Sequence, residues 1–205
     1  MEANKTLFAV IKPESEKEKI IIKNVLKMLS NRIYIDNQGQ KHQLLNETDA
    51  MKKVSNRGEN TYIIKTDNHD TYVVKIVFQK ISSTGKQSII SDFLKDYEKN
   101  KKIIVAQDFN NKIADFMSKQ QTQIFKENAL MSDLISYRDQ PEFELLTPNE
   151  MELFKKEYNA TDYTTKKMLK NDAVAKYFAL KKGDIIRIIR PSPTSGQAID
   201  YRIVM

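Results

Sequence analysis

The sequence contains no cysteine and only two histidines, His42 and His69. Without thiols, the chain cannot form a disulfide, a zinc ribbon, an iron–sulfur cluster or a thiol nucleophile. Two histidines are also too few for a site built from several imidazoles. These absences predict a protein that binds no metal of these kinds and needs no cofactor.

Several sequence signatures of enzymes and of membrane or secreted proteins are also missing. There is no Walker A loop, no GxGxxG and no Gly-x-Ser-x-Gly. No apolar run approaches the roughly 20 residues that a membrane-spanning helix needs. The first residues include a short apolar patch without the basic region that opens a signal peptide. We therefore expect an intracellular soluble protein with no membrane contact.

The composition is typical of a globular protein with a basic surface. Of 205 residues, 40% are hydrophobic and 30% charged, and the formal net charge is +7 with a pI near 9.3. The net charge of residues 1–141 is +5 and that of residues 142–205 is +2. This charge permits contact with nucleic acid but does not require it.

Residues 1–140 show the alternation of an α/β domain. A helix is predicted from Glu14 to Leu29, where acidic residues in the first turn favour the helix dipole. Two buried strands, Thr71–Phe78 and Ile103–Ala106, are separated by a helix over Ile89–Tyr97, and another helix begins at Ile113. Strand, helix, strand and helix in this order predict a parallel βαβ unit.

Residues 141–205 predict a second, α+β domain. Thr147 and Glu150 form a capping box at the start of a helix, and Asp172 can cap a second short helix. Two strands follow, Asp184–Arg190 and Ala198–Met205. They are joined by a loop rich in Pro, Ser and Gly, which is typical of a β-hairpin.

The last 35 residues carry several motifs in a fixed order. These are DAVAKY (Asp172–Tyr177), LKKG (Leu180–Gly183), IIRIIR (Ile185–Arg190), PSPTSG (Pro191–Gly196) and YRIV (Tyr201–Val204). In this order they resemble the C-terminal signature of RNA polymerase subunit 5 of eukaryotes and of its shorter archaeal counterpart. Fainter similarity to the N-terminal jaw domain of the eukaryotic type covers Ile103–Gln107 and Ile124–Ser136.

The resemblance implies an architecture and a function. We expect a nuclease-like α/β jaw domain at residues 1–140 and a small α+β assembly domain at 141–205 that ends in a β-hairpin. The protein is expected to be a non-catalytic subunit of a multisubunit DNA-dependent RNA polymerase. Its C-terminal domain is expected to dock on the largest subunit, and its N-terminal domain to contribute to the jaw around downstream duplex DNA.

The resemblance also suggests a source. Only the eukaryotic type carries the jaw domain, which implies a cellular eukaryotic member or one from a virus that infects eukaryotes. The Lys- and Asn-rich, cysteine-free composition suggests a viral member of the African swine fever virus type. A viral member would be found in the host cytoplasm and the virion, and a cellular one in the nucleus.

The terminal hairpin supplies the predicted partner interface. Apolar residues fall on both faces of Ile185–Ile189, so one face could pack on the domain and the other on a partner. The alternative is a sheet whose two faces are both covered by the domain's own helices. The residues expected to contact the largest subunit are Arg187, Arg190, Tyr201 and Arg202.

The loop after the second predicted strand supplies the predicted DNA contact. By the resemblance it lies at the jaw tip, and Asn110, Asn111 and Lys112 suit contacts to phosphate and sugar that do not read sequence. The alternative is an ordinary solvated loop. The basic run Lys99–Lys102 is predicted to be a solvated turn, with a phosphate contact as the less favoured interpretation.

Three further positions test the resemblance. Tyr177 and Phe178 could stack on bases, but their place on a short amphipathic helix favours the core. The family's glycine is replaced by Ala179, which the turn tolerates only if its φ is negative.

Two other functions have less support in the sequence. A restriction-type nuclease needs a carboxylate two positions before its catalytic lysine, and Lys75 lacks one. A free-standing nucleic-acid-binding transcription factor would favour a clustered basic stripe, whereas the charges here are dispersed.

Overall fold

The computed structural model describes residues 12–205 except 37, 84, 86, 87, 89, 138 and 139. Those residues form two units. The N-terminal unit consists of the residues up to Lys27 together with Thr48–Asp133, and the C-terminal unit consists of Met28–Glu47 together with Leu134–Met205. Ile89, which was predicted to open the second helix, lies outside the described residues.

The helices and strands follow one another along the chain in a mixed order. They are α1 (Glu14–Asn31), β1 (Ile33–Ile35), β2 (Lys41–Gln43), a 3₁₀ turn (Ala50–Lys53), β3 (Val54–Asn56), β4 (Thr61–Lys65), β5 (Thr71–Ile81), α2 (Ser91–Asp96), β6 (Lys101–Phe109), α3 (Asn111–Lys119), β7 (Thr122–Lys126), α4 (Glu127–Met131), β8 (Glu142–Leu145), α5 (Pro148–Glu157), β9 (Lys166–Met168), α6 (Ala173–Tyr177), β10 (Ile185–Ser192) and β11 (Gly196–Val204).

The N-terminal unit contains a five-stranded sheet in the order β3-β4-β5-β6-β7. β5 and β6 pair in parallel, as the alternation of strand and helix predicts, and β6 and β7 also pair in parallel. β3, β4 and β5 are joined by antiparallel pairing. The predicted βαβ unit is therefore present within a larger mixed sheet.

Both faces of the central strands are buried, which explains their continuous apolar runs. Val73 and Val77 of β5 share a core with α2 and α3, represented by Phe93 and Met117. The alternate residues of β5, such as Val74, point to the other face and are buried as well. Because side chains alternate along a strand, such a run requires cover on both sides of the sheet.

The C-terminal unit contains a four-stranded sheet in the order β8-β10-β11-β9. β10 and β11 pair antiparallel from Ile185↔Ile203 to Ser192↔Gly196. β8 pairs antiparallel with β10, and the short β9 pairs in parallel with β11. Both edge strands are short, Glu-Phe-Glu-Leu in β8 and Lys-Lys-Met in β9, and neither is among the strands predicted from the sequence.

The helices of the C-terminal unit begin where the sequence predicted. The Thr147 side chain accepts from the Glu150 N–H, and Glu150 accepts from the Thr147 N–H, which completes the capping box at α5. Asp172 caps α6 by accepting from the Val174 N–H. These caps depend on residues three positions apart or fewer, which is why local sequence identifies them.

The end of α6 differs from the expectation for Ala179. Its φ is +54°, in the left-handed region, so the expected negative φ is wrong. The Leu180 N–H donates to the Ala175 oxygen and the Ala179 N–H donates to the Lys176 oxygen, the two hydrogen bonds of a Schellman motif. The motif fixes this backbone shape, so Ala179 adopts a conformation that glycine would adopt with less strain.

The two units do not coincide with the predicted division into residues 1–140 and 141–205. The segment Met28–Glu47 groups with the C-terminal unit, although it lies more than a hundred positions upstream of most of it. Arg32 is 2% exposed, and its Nε donates to the Tyr177 oxygen at 2.7 Å. Asn31 Nδ2 donates to the Tyr177 hydroxyl at 2.9 Å. No local pattern in the sequence reports such distant contacts.

Candidate functional site

Arg187, the first of the predicted partner residues, forms an ion pair with a residue of its own sheet. Its Nε donates to Oε2 of Glu144 on the neighbouring strand at 2.9 Å, and its Nη2 contacts the same oxygen. Lys41 Nζ lies 3.4 Å from Oε1 of Glu144 and 2.8 Å from Oε2 of Glu150. Arg187 and Lys41 therefore belong to one charge network inside the C-terminal unit.

The network changes the acidity of Glu144. Burial disfavours the ionised carboxylate, but the Arg187 hydrogen bonds and the charges of Arg187 and Lys41 outweigh it, so the pKa of Glu144 lies below its usual value. The Glu144 hydrogen bond in turn raises the pKa of Arg187. Both groups are charged at neutral pH, and Arg187 does not depend on a partner protein for its counter-charge.

Tyr201 lies opposite Arg187 on the adjacent strand and belongs to an aromatic cluster. Its ring centroid is 4.3 Å from that of Phe154 and 5.7 Å from that of Tyr158. Phe154 is buried, whereas Tyr158 is 63% exposed. The cluster therefore runs from the core of the C-terminal unit to its surface, with Tyr201 in the middle.

Arg190 and Arg202 occupy the other face of the sheet, because they alternate with Arg187 and Tyr201 along the strands. Arg202 Nε is buried, has no hydrogen bond to a described residue, and lies 3.7 Å from Oδ2 of Asp200. Arg190 is exposed and forms no ion pair with any described residue. The four predicted residues therefore do not form one patch, and Arg190 is the most available of them.

The apolar residues on both faces of β10 are covered from within the unit. Ile185 packs with Phe154 of α5, on one face. Ile186 and Ile188 pack on the other face with Ala175 of α6. The alternative interpretation of this pattern therefore accounts for it, and the pattern by itself does not indicate a partner.

A stronger indication of a partner, which the sequence analysis missed, is the distribution of exposed apolar side chains. Of the eight large hydrophobic residues that are exposed among the described residues, seven belong to the C-terminal unit. They are Tyr137, Leu153, Tyr158, Tyr163, Leu169, Ile199 and Met205. Tyr163 stands alone in a polar segment, which was the available signal in the sequence.

The predicted DNA-facing residues Asn110, Asn111 and Lys112 have different roles in the structure. The Asn110 side chain caps α3 by accepting from the Ile113 N–H at 3.0 Å. Asn111 and Lys112 form the exposed first turn of that helix. Asn110 therefore stabilises the helix, while Asn111 and Lys112 remain accessible to a ligand.

The basic run Lys99–Lys102 is not uniformly solvated. Lys102 is 3% exposed, and its Nζ donates to the backbone oxygens of Tyr97, Glu98 and Asn100 at 3.1–3.2 Å. Burial lowers the pKa of Lys102. The prediction of a solvated turn is therefore wrong for this lysine, whose hydrogen bonds stabilise the turn after α2.

The core interpretation of Tyr177 agrees with the structure, in which this side chain is buried.

The residues of a possible nuclease site have other partners. Lys75 Nζ donates to the Glu59 oxygen at 2.7 Å, Asp67 pairs with Lys53, and Asp70 pairs with Lys101. Within the described part of the chain, no group of three or more acidic or histidine side chains is arranged to hold a metal ion. None of the helices in that part is both long and apolar enough to span a bilayer.

Comparison with known proteins identifies relatives in a virus, in eukaryotes and in archaea. Residues 115–204 match the family model of the RNA polymerase Rpb5 C-terminal domain. The chain is 54% identical over 205 residues to DNA-directed RNA polymerase subunit 5 of Acanthamoeba polyphaga mimivirus, with the whole of both chains covered.

Cellular relatives match more distantly. A subunit of DNA-directed RNA polymerases I, II and III from Dictyostelium discoideum is 29% identical over 89% of this chain and 94% of its own length. The DNA-directed RNA polymerase subunit Rpo5 of Methanocaldococcus jannaschii is 37% identical over 65 residues, which is 32% of this chain and 83% of the archaeal protein. The archaeal protein thus corresponds to only about a third of this chain.

Proposed function

Because this chain belongs to the DNA-directed RNA polymerase subunit 5 family, we propose that it serves as a non-catalytic subunit of a multisubunit DNA-dependent RNA polymerase. Its relatives in a virus, a protist and an archaeon are named as subunits of that polymerase. Nucleotidyl transfer belongs to other subunits of the complex, and this chain supports it.

We further propose that the C-terminal unit docks on the largest polymerase subunit. The observation that carries this proposal is the concentration of exposed apolar side chains on that unit, seven of the eight among the described residues. Exposed apolar area is unfavourable in water and becomes favourable when a partner covers it. The aromatic cluster of Phe154, Tyr158 and Tyr201 offers the kind of rigid anchor that dominates interface energetics.

Among the charged residues, Arg190 is the best candidate for a direct contact. It is exposed and unpaired with described residues, whereas Arg187 and Arg202 have Glu144 and Asp200 beside them. An arginine without an internal counter-ion can bind a partner carboxylate through two parallel hydrogen bonds. Arg187 and Arg202 support the strands on which Arg190 and Tyr201 lie.

A charge reversal tests this docking surface. We expect Arg190→Glu to reduce co-purification with the polymerase largest subunit by about tenfold or more, since a charged contact becomes a repulsion. Lys182→Glu is the matched control, because Lys182 is an exposed cation of the same unit outside the hairpin strands. Equal incorporation of both variants and the unchanged protein would show that Arg190 is not part of the interface.

For the N-terminal unit, we propose a non-specific contact with downstream duplex DNA through Asn111 and Lys112. Both are exposed in the first turn of α3, and a lysine there neutralises phosphate without reading base sequence. Lys112→Glu is expected to weaken crosslinking of downstream DNA by the assembled polymerase. It should also make the slope of log affinity against log salt shallower by about 0.9, the contribution of one phosphate contact. Lys119→Glu, at the other end of α3, serves as the control.

A free-standing nucleic-acid-binding factor is the competing function. The two are separated by the affinity of the isolated protein for duplex DNA at physiological salt. We expect weak binding, because a polymerase subunit gains its DNA contact from the complex. Tight binding by the isolated chain would support the free-standing factor instead.

The 54% identity to the mimivirus protein supports the proposal that this chain is a viral member of the family. We propose that the protein acts in the host cytoplasm and is packaged in the virion, whereas a cellular member would act in the nucleus. The narrower expectation of an African swine fever virus type stays a prediction.

A further inference from the structure

The end of the terminal hairpin extends beyond both neighbouring strands. We call the segment Ile189–Asp200 the hairpin arm. β8 pairs with β10 only as far as Ile189, and β9 pairs with β11 only from Arg202 onwards. β10 and β11 nevertheless continue to pair with each other up to Ser192↔Gly196. Beyond Ile189 on β10 and before Arg202 on β11, no described strand continues the sheet on either side of the arm.

The two edges of the arm are protected differently. The β10 edge contains Pro191, which has no N–H, next to the charged Arg190. These are two of the features that keep exposed edge strands from pairing with other chains. The β11 edge reads Gly-Gln-Ala-Ile over Gly196–Ile199 and has neither proline nor charge. On the β11 edge, the Gln197 N–H donates to the Ser195 oxygen and the Gln197 oxygen accepts from the Ser195 hydroxyl, so the edge is open to a further strand at Ile199.

The backbone groups on this edge can be assigned from the hydrogen bonds at the base of the hairpin. The Val204 N–H donates to the Asp184 oxygen on the β10 side, while the Met205 N–H donates to the Met168 oxygen on the β9 side. Because backbone groups alternate in direction along a strand, the even-numbered residues of β11 bond to β10. Ile199 is odd-numbered, so its N–H and C=O point away from β10, towards the open edge.

The side chains around the open edge indicate what would pair there. Ile199 is 53% exposed and lies opposite the half-buried Ile189, so an apolar side chain on an added strand would extend this pair. On the other face, Asp200 is already neutralised by Lys166 at 2.8 Å and by the nearby Arg202. Arg190 forms no ion pair with a described residue, and its charge favours a carboxylate in the incoming segment.

We propose that the open edge of β11 accepts an extended segment of another polymerase subunit as an additional β-strand. The segment carries an apolar side chain that meets Ile199 and an acidic side chain within reach of Arg190. Main-chain hydrogen bonds to Ile199 supply affinity in this mode, and the side chains supply specificity. The inference rests on the proposed function, because the segment belongs to the polymerase.

Two substitutions at one position separate backbone from side-chain effects. Ile199→Pro removes the outward N–H and obstructs the edge without removing a hydrogen bond between β10 and β11. Ile199→Thr keeps the N–H and the β-branched shape but loses the apolar contact. We expect Ile199→Pro to lower incorporation into polymerase that lacks this subunit by about tenfold, the effect of one or two interface hydrogen bonds. The decrease with Ile199→Thr is expected to be smaller.

Amide hydrogen exchange on the unchanged protein avoids any effect of a variant on folding. In the isolated protein the Ile199 amide is expected to exchange rapidly and the Ala198 amide slowly, because only Ala198 bonds to β10. In the assembled polymerase the Ile199 amide should become at least about tenfold slower, while the Ala198 amide changes little.

The possible outcomes distinguish this inference from the function on which it rests. If the unchanged protein does not join the polymerase, the proposed function fails. If it joins but the Ile199 amide still exchanges rapidly in the complex, strand addition alone is overturned. Protection of Ile199 in the isolated protein that rises with its concentration would show that a second copy occupies the edge, which also overturns the proposal.

Discussion

The surfaces of the two units differ more than their cores do. Each unit has a mixed sheet whose central strand is buried on both faces. Yet Met51 is the one large hydrophobic residue exposed among the described residues of the N-terminal unit, against seven in the C-terminal unit. Among the described residues, exposed apolar side chains are therefore concentrated on the C-terminal unit, the unit for which we propose a docking partner.

The two units also differ in how they stabilise the end of a short helix. In the N-terminal unit, buried Lys102 donates to carbonyl oxygens after α2, two to five positions away in the sequence. In the C-terminal unit, buried Arg32 donates to the Lys176 and Tyr177 oxygens at the end of α6, 144 and 145 positions away. In both cases the last carbonyls of the helix have no donor within the helix itself. The donor side chain is close in sequence to these carbonyls in the N-terminal unit and distant in sequence from them in the C-terminal unit.

Arg32→Met is expected to have the largest effect. It leaves two buried carbonyls at the end of α6 without their charged donor, so we expect the C-terminal unit to lose about 3 kcal/mol of unfolding free energy. Urea unfolding, followed by hydrogen exchange over Ile185–Val204, measures this loss. Arg57→Met is the control, because Arg57 is exposed, and it should change stability by less than about 0.5 kcal/mol. Unchanged protection of β10 and β11 in the Arg32 variant would contradict the assignment of Met28–Glu47 to this unit.

Lys102→Met is expected to cost the N-terminal unit about 2 kcal/mol, because three backbone oxygens lose a donor while the desolvation cost of the ammonium is relieved. The variant also changes the pH dependence. Burial lowers the pKa of Lys102 in the folded state below its ordinary 10.5, so the unfolded chain binds the proton more tightly.

The unfolding free energy of the unchanged protein should therefore rise with pH between the folded pKa and 10.5, and this rise should be absent from the methionine variant. Thermal or urea unfolding between neutral and alkaline pH measures the difference. Parallel pH profiles for the two proteins would show that Lys102 does not titrate at a lowered pKa.

Ala179→Gly is expected to stabilise the C-terminal unit. The φ of +54° costs an L-residue about 1 kcal/mol, and glycine adopts it without that strain. We expect a gain of up to about 1 kcal/mol in urea unfolding. Ala175→Gly, inside α6, is the matched control and should destabilise by about 1 kcal/mol. If both glycines destabilise alike, the left-handed turn is not the source of the strain.

The sequence predicted the parts of the fold that depend on neighbours in the chain. The capping box at Thr147 and the cap at Asp172 require only side chains up to three positions apart. The parallel pairing of β5 and β6 follows from the order of strand, helix and strand along the chain. β9 was missed, because Lys-Lys-Met forms a strand only through its pairing with β11.

The candidate site was predictable in part, for the same reason. The resemblance identified the hairpin, but it could not reveal that Arg187 is held by Glu144, a residue 43 positions away. Nor could it separate Asn110, whose side chain caps α3, from the accessible Lys112. The edge of β11 is open because β9 pairs with it only from Arg202 onwards, and the local sequence of the arm does not reveal how far β9 extends.

Glu144→Gln should have the smallest effect, and it tests whether the charge network of the C-terminal unit is structural. Burial opposes ionisation of Glu144, but Arg187 and Lys41 together hold its pKa below the ordinary 4.5. A carboxylate with a lowered folded pKa stabilises the protein above its unfolded pKa, and this contribution is lost as pH falls through the folded value. Below pH 4.5 the unfolding free energy of the glutamine variant should therefore fall less steeply than that of the unchanged protein.

About a third of the Glu144 side chain is exposed, so solvent weakens its ion pairs. At neutral pH the glutamine variant should therefore lose no more than about 1 kcal/mol of unfolding free energy. Glu142→Gln on the same strand is the control, because Glu142 is exposed and forms no ion pair with described residues. Urea unfolding of the three proteins across the acidic range measures both effects. Should both variants retain the full acid dependence, the Arg187–Glu144 pair contributes nothing to the folded unit, and Arg187 would be as free as Arg190 to bind a partner.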